Sequence, residues 1–182
     1  MPELPAIDRL AKRISRLRLP ARVAVDGVDA AGKTTLAGEL AERAGAARLS
    51  ADDFLRPAEE RYRRGRESPE GHYLDSFDHR RLRNAVLAER GLVIVDGIFL
   101  LRPELNDLWT FRIFIHVELE ESARRGIQRD GAETEPLYRR RYLPGQRIYL
   151  ERVRPRELAD VVVDNTDPER PVLSPDVAGG RS

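Results

Sequence analysis

Apolar residues recur along the chain in two rhythms. Over residues 5–18, Ile7, Leu10, Ile14 and Leu17 fall on one helical face with Arg and Lys elsewhere, which predicts an amphipathic helix. Residues 32–44 return to that spacing through Leu36 and Leu40, and residues 78–89 through Leu82, Ala85 and Val86. Residues 119–129 and 136–153 predict two further helices, the second broken near Pro144 and Gly145. Between these lie short apolar runs without polar alternation: 22–26 (RVAVD), 92–96 (LVIVD), 111–117 (FRIFIHV) and 159–164 (ADVVVD), joined by a weaker candidate strand at 47–50.

Strands that are apolar throughout and separated by helices predict a parallel sheet covered on both faces. The expected fold class is therefore α/β: a doubly wound five-stranded parallel sheet with helices on both faces and a small lid at residues 121–135. Residues 1–182 form one domain in this reading, with an N-terminal helix in 1–20. Residues 54–77, rich in Arg, Glu, Gly and Pro, predict an irregular, mobile segment. The tail after Pro171 predicts a frayed end.

Composition changes this picture little. At 182 residues with 41% hydrophobic side chains the chain can bury a core, and without cysteine it has neither disulfides nor thiolate metal sites. No apolar run nears membrane-spanning length, the start MPELPAIDRL lacks the apolar stretch of a secretory leader so none is expected, and the net charge of +1 exerts no general pull on nucleic acid or membrane. A cytoplasmic location is expected. The basic residues are 30 Arg but only two Lys, Lys12 and Lys33. A lone arginine is accordingly read as solvated surface, whereas Lys33 stands inside a motif.

That motif is GVDAAGKT at residues 27–34, a full match to G-x-x-x-x-G-K-[ST] between a strand and a helix. The four residues between Gly27 and Gly32 let the backbone turn its N–H groups onto a phosphate, and the loop opens a helix N-terminus. Lys33 reaches the β- and γ-phosphates and Thr34 the Mg²⁺. Asp29, Ala30, Ala31 and Thr35 complete the nucleotide-binding set. Asp96 ends an apolar strand, where it can hold the metal with Thr34. Asp52 and Asp53 follow the second strand; one of them can orient an acceptor hydroxyl and take its proton.

The segments GVDAAGKTTLA, SADDF, SFDH, IVDGIFLL, RRGIQRD and YRRRYLPGQRIYL resemble, in this order, the uridine kinase-like branch of P-loop kinases, over roughly residues 22–167. The resemblance implies a catalytic base at Asp52, metal positions at Thr34, Asp52 and Asp96, and phosphate-clamping lid arginines at Arg125 and Arg129. It further implies sugar contacts at Asp78 and His79 and an adenine-side loop with Asn165 and Asp167; Arg56 and Tyr73, in the stretch 54–77, are candidate acceptor contacts by their place there. The function implied is transfer of the γ-phosphoryl group of ATP, with Mg²⁺, to a small-molecule hydroxyl, most naturally a nucleoside's. The segment after the D-x-F motif, 54–77, is shorter than in uridine kinases and carries Arg56, Arg61, Arg63, Arg64 and Arg66, which fits either a different, anionic acceptor or a solvated loop. The rival reading is a nucleotide-binding ATPase or sensor without an acceptor. A GTPase switch is excluded, because its N/T-K-x-D signature needs a lysine that the chain lacks.

Overall fold

The computed structural model describes residues 4–168 and 172–174. In chain order these form α1 (Leu4–Ile14), β1 (Ala21–Gly27), α2 (Lys33–Ala44), β2 (Ala47–Ser50), α3 (Ala58–Arg61), α4 (Pro69–Asp75), α5 (His79–Ala88), β3 (Leu92–Gly97) and β4 (Phe111–His116). There follow α6 (Leu119–Asp130), α7 (Glu135–Leu137), a π-helical turn (Tyr138–Tyr142), α8 (Leu143–Val153), α9 (Pro155–Leu158), β5 (Val161–Asp164) and β6 (Val172–Ser174).

The strands make one six-stranded sheet in the order β2-β3-β1-β4-β5-β6. The first five are parallel. Successive residues of an apolar strand point to opposite faces, so a continuous apolar run feeds two cores. Val23, Val25, Ile94, Ile113, Ile115, Val161 and Val163 pack on one face against Ile7, Leu10 and Ile14 of α1 and Leu36 and Leu40 of α2. Ala24, Val93, Val95, Phe114 and Val162 pack on the other, against Tyr73 of α4, Leu82 and Val86 of α5 and Tyr149 of α8.

Three expectations change. The sheet has a sixth strand: Val172–Ser174 pairs antiparallel with β5, where fraying was expected. The outer edge of β5 has backbone groups to satisfy, and a three-residue partner meets them; the flanking prolines hide so short a strand from pattern reading. The rest of that tail, residues 175–182, lies outside the described residues. Second, residues 54–77 are ordered. They contain α3 and α4, and their ends are tied by an antiparallel bridge between Leu55 and Phe77. Asp75, almost fully buried, accepts from Arg63 at 2.6 Å and Arg64 at 2.8 Å. Third, Pro144 breaks nothing. It sits in the first turn of α8, where a missing N–H is tolerated, and the irregularity is the π turn just before it.

Leu40 is fully buried between α2 and the sheet. Leu40→Ala is expected to cost about 2–5 kcal/mol, read as a lower urea midpoint. An unchanged midpoint would mean that α2 is not packed there.

Candidate phosphate and acceptor sites

The parallel registers decide where the chemistry falls. Ser50 pairs with Asp96, Asp26 with Gly97, Gly27 with Ile115 and His116 with Asp164. The five strands therefore run out at one edge, and the segments bearing the motif glycines, Asp52, Asp96 and Asn165 leave the sheet side by side. In open parallel sheets this is the edge where ligands bind.

Residues 27–34 join β1 to α2. A Cβ at Gly27 would lie 2.6 Å from the Ile115 carbonyl oxygen, so the neighbouring strand leaves space for hydrogen alone. Gly32 turns the chain into α2 with φ 90°, a conformation that favours glycine. The N–H groups of Lys33, Thr34 and Thr35 then form the first turn of a twelve-residue helix, with no partner of their own and an axial dipole that favours an anion. Lys33 Nζ donates to the Val28 carbonyl at 2.6 Å. Burial pushes its pKa down, opposed by the charges of Asp29, Asp26, Asp52 and Asp96.

Thr34 Oγ1 donates to Asp96 Oδ2 at 3.1 Å, which brings two of the three expected metal positions together, Asp52 not being bonded to either. The other Asp96 oxygen accepts from Arg48 of β2 at 2.8 Å. Among the described residues no group of three or more His, Cys, Asp or Glu side chains could hold a metal by itself. A hydroxyl beside one carboxylate is the donor set for Mg²⁺ that keeps waters and shares phosphate oxygens; it is not a full protein cage.

A cavity of about 330 Å³ lies over this loop, lined by residues 30–35 and by Arg125 and Arg129 of α6. Arg125 is fixed by Glu121 at 2.7 Å and by the carbonyls of Asn165 and Thr166 at 3.0 and 2.7 Å. Asn165 in turn donates to the Ala31 carbonyl at 3.0 Å, so the segment after β5 braces the loop. Asp167 lies exposed in the same segment.

A second cavity, of about 340 Å³, adjoins the first, and Arg129 lines both. Asp29 and Asp52 belong to it, together with Arg61, Tyr62, His72, Tyr138, Arg141 and Tyr142. Asp52 is exposed, and its amide donates to Ser50 Oγ at 3.4 Å. Asp29 exchanges two hydrogen bonds with Gln146, at 2.8 and 2.7 Å, and burial pushes its pKa up.

Four expected acceptor residues line neither cavity. Arg56 donates to the Phe77 carbonyl at 3.0 Å and pairs with Glu60. Tyr73 is buried in the core against Phe99 and Tyr149. Asp78 caps α5 by accepting from the Arg81 amide at 3.0 Å. His79 abuts Arg102 at 3.2 Å, and burial, helped by Arg102, pushes its pKa down to about 4. Conversely, His72, Arg141 and Tyr142 line the second cavity although nothing in the sequence reading places them there, and Arg61 comes to it from the arginine-rich stretch. The one available signal was the pair of tyrosines flanking three arginines in YRRRY: as a π turn, a form often found at functional sites, it puts Tyr138, Arg141 and Tyr142 on the second cavity.

Strand order, loop geometry and the Thr34–Asp96 pair define a P-loop nucleotide-binding domain. The chain belongs to the family described as AAA domain, whose model matches residues 23–170. Among solved structures it is similar to one titled a possible uridine kinase from Bacillus stearothermophilus, with TM-score 0.69 and 22% identity over 87% of this chain and 97% of that one. It is also similar to a gluconokinase from Sinorhizobium meliloti 1021, with TM-score 0.58 and 22% identity over 81% and 84% of the two chains. A shikimate kinase from Acinetobacter baumannii gives TM-score 0.53 and 20% identity over 84% and 86%. At these identities the likeness is one of fold. No curated protein matches the chain.

Asp26, wholly buried at the end of β1, accepts from the Gly27 amide at 2.8 Å, the Leu101 amide at 3.2 Å and the Tyr149 hydroxyl. Burial pushes its pKa up to about 6 from an ordinary 3.8, against the pull of those bonds. The folded state therefore keeps a proton that the unfolded chain releases. Its contribution to stability is complete below about pH 4 and is lost as pH rises through about 6. The stability of Asp26→Asn relative to the parent is expected to rise across that window and level off above it, by urea titration at stepped pH. A pH-independent difference would show that Asp26 does not titrate there.

Proposed function

We propose that this protein is a kinase that transfers the γ-phosphoryl group of ATP, with Mg²⁺, to a hydroxyl of a small molecule. A nucleoside is the acceptor that the uridine kinase-like motifs imply. The observation that carries the reading is the meeting of two cavities at Arg129, one holding Lys33 and the other Asp52.

The loop amides and Lys33 receive the phosphates, while Thr34 and Asp96 hold the metal. Asp52 orients the acceptor hydroxyl and takes its proton as the oxygen attacks. Bound Mg·ATP supplies the electrophile: the new bond forms between acceptor oxygen and γ-phosphorus, the bridging P–O bond breaks, and ADP leaves with that electron pair. Arg125 and Arg129, four residues apart on α6, offset the charge of the transferring group. Residues 121–135 act as the lid and keep water from competing with the acceptor. Asn165 and Asp167 lie on the adenine side. The need for ATP supports a cytoplasmic location.

The test is ADP release from Mg-ATP with nucleosides, polyols and hydroxy acids as acceptors, coupled to detection of the phosphorylated product. Lys33→Ala and Asp52→Asn are each expected to lower turnover by about 10²–10⁴-fold with an unchanged circular dichroism spectrum. ADP release that no acceptor stimulates, with no phosphorylated product, would instead favour an ATPase or sensor. Near-parental turnover in Asp52→Asn would remove Asp52 from the role of base.

A further inference from the structure

The second cavity is lined by three arginines, Arg61, Arg129 and Arg141, and three aspartates, Asp29, Asp52 and Asp130, but Arg61 and Arg141 are paired with none of them. Neighbouring arginines are matched: Arg129 holds Asp130 at 2.6 Å, Arg63 and Arg64 hold Asp75, and Arg140 holds Glu67 at 2.9 Å. Arg61 and Arg141 line the cavity and have no carboxylate partner among the described residues. The buried Arg141 guanidinium donates to four main-chain carbonyls, those of Arg61, Gly65, Arg66 and Ser68, at 3.0 to 3.4 Å. It lies 4.8 Å from the centre of the Tyr62 ring, and the Arg61 guanidinium lies 5.4 Å from the same ring. Arg61 Nε is buried with no hydrogen-bond partner. Carbonyls and a ring satisfy donors and polarise towards a cation, but they carry no formal charge. The buried Arg141 and the half-buried Arg61 have no carboxylate at ion-pair distance among the described residues, and a sheltered charge without one is costly.

His72 adds a second unmet group in the same cavity. Ser76 Oγ gives its single hydrogen to the His72 carbonyl at 2.6 Å. In the 3.3 Å contact between that oxygen and the ring, Nδ1 is therefore the donor. The ring is neutral, because burial, helped by Arg141, pushes its pKa down to about 3. Nε2 is thus a bare acceptor, and it has no partner. The ring is only 6% exposed, held between Phe99 at 5.2 Å and Tyr142 at 4.9 Å. A lone pair in that position calls for a hydroxyl.

Resting on the kinase reading above, we propose that the acceptor is an anionic polyol: a small molecule with a carboxylate or phosphate for Arg61, in the field of Arg141, and a hydroxyl for His72 Nε2, besides the hydroxyl that Asp52 orients. The anion completes a charge pair that the fold leaves open, so a neutral nucleoside or sugar alcohol of the same size binds more weakly.

The test is calorimetric titration of the full chain with the phosphate site saturated by Mg·ADP, so that added anions cannot occupy the loop. The probes are matched pairs, gluconate against sorbitol and glycerol 3-phosphate against glycerol, with uridine as the neutral nucleoside. At least one anionic member is expected to bind about tenfold or more tightly than its neutral partner and than uridine, and the pair that discriminates identifies carboxylate or phosphate. The preference is expected to collapse in Arg61→Met and to persist largely in Arg61→Lys. Both variants keep the main-chain carbonyl that Arg141 uses. Equal binding within both pairs, uridine binding tighter than every anion, no binding of either anion, or a preference that survives Arg61→Met would each overturn the proposal. The titration requires no turnover, so a protein that discriminates by charge yet forms no phosphorylated product would sink the kinase reading and leave the anion site standing.

Discussion

A single buried carboxylate joins the parts of this molecule that form the proposed site. Asp26 ends β1 and receives hydrogen bonds from the first glycine of the phosphate loop, from the segment after β3 and from Tyr149 on α8. Three residues earlier on the same helix, Gln146 holds both the backbone and the side chain of Asp29 within the loop. Side chains three apart share a helix face, so α8 grips the loop twice. The loop is thus no freestanding glycine turn. It is suspended between a strand below and a helix above, and its shape depends on residues more than a hundred positions away.

The same helix continues backwards into the π turn, whose Tyr138, Arg141 and Tyr142 wall the second cavity. One continuous stretch, from Tyr138 to Tyr149, therefore sets the position of the phosphate loop relative to that cavity. In-line transfer between two bound molecules needs that relation to hold within a fraction of an ångström. On the proposed reading, a helix spanning both sites supplies it directly, without relay through the sheet.

What could be read from the chain follows from the range of the forces involved. The apolar runs at β1, β3, β4 and β5 declare strands buried on both faces, because a strand's burial is written in its own residues. The loop declares itself because Gly27, Gly32, Lys33 and Thr34 act through local backbone geometry. The walls of the second cavity are another matter. Asp75 with Arg63 and Arg64, or Arg141 with the carbonyls around Gly65, are contacts whose partners are unremarkable until the fold brings them together. A segment rich in Arg and Glu looks solvated from composition and is ordered by those pairings. Likewise Asp78 and His79 fall in a matching segment and Arg56 and Tyr73 in the stretch before it, yet their side chains go to a helix cap, Arg102, a carbonyl and the core. β6 was illegible for a further reason: three residues carry too little periodicity, and what holds them is the free edge of β5.

Arg141 holds the segment 61–68 through main-chain oxygens, and a carbonyl is the same atom whatever side chain follows it. The path of that segment is therefore largely independent of the identities it displays. Substitutions at Tyr62 or Arg61 can change what the cavity wall presents while the guanidinium keeps the backbone in place. This separates shape from chemical character in one short stretch of chain, and it makes the stretch a place where selection could redirect specificity in small steps without first rebuilding the fold.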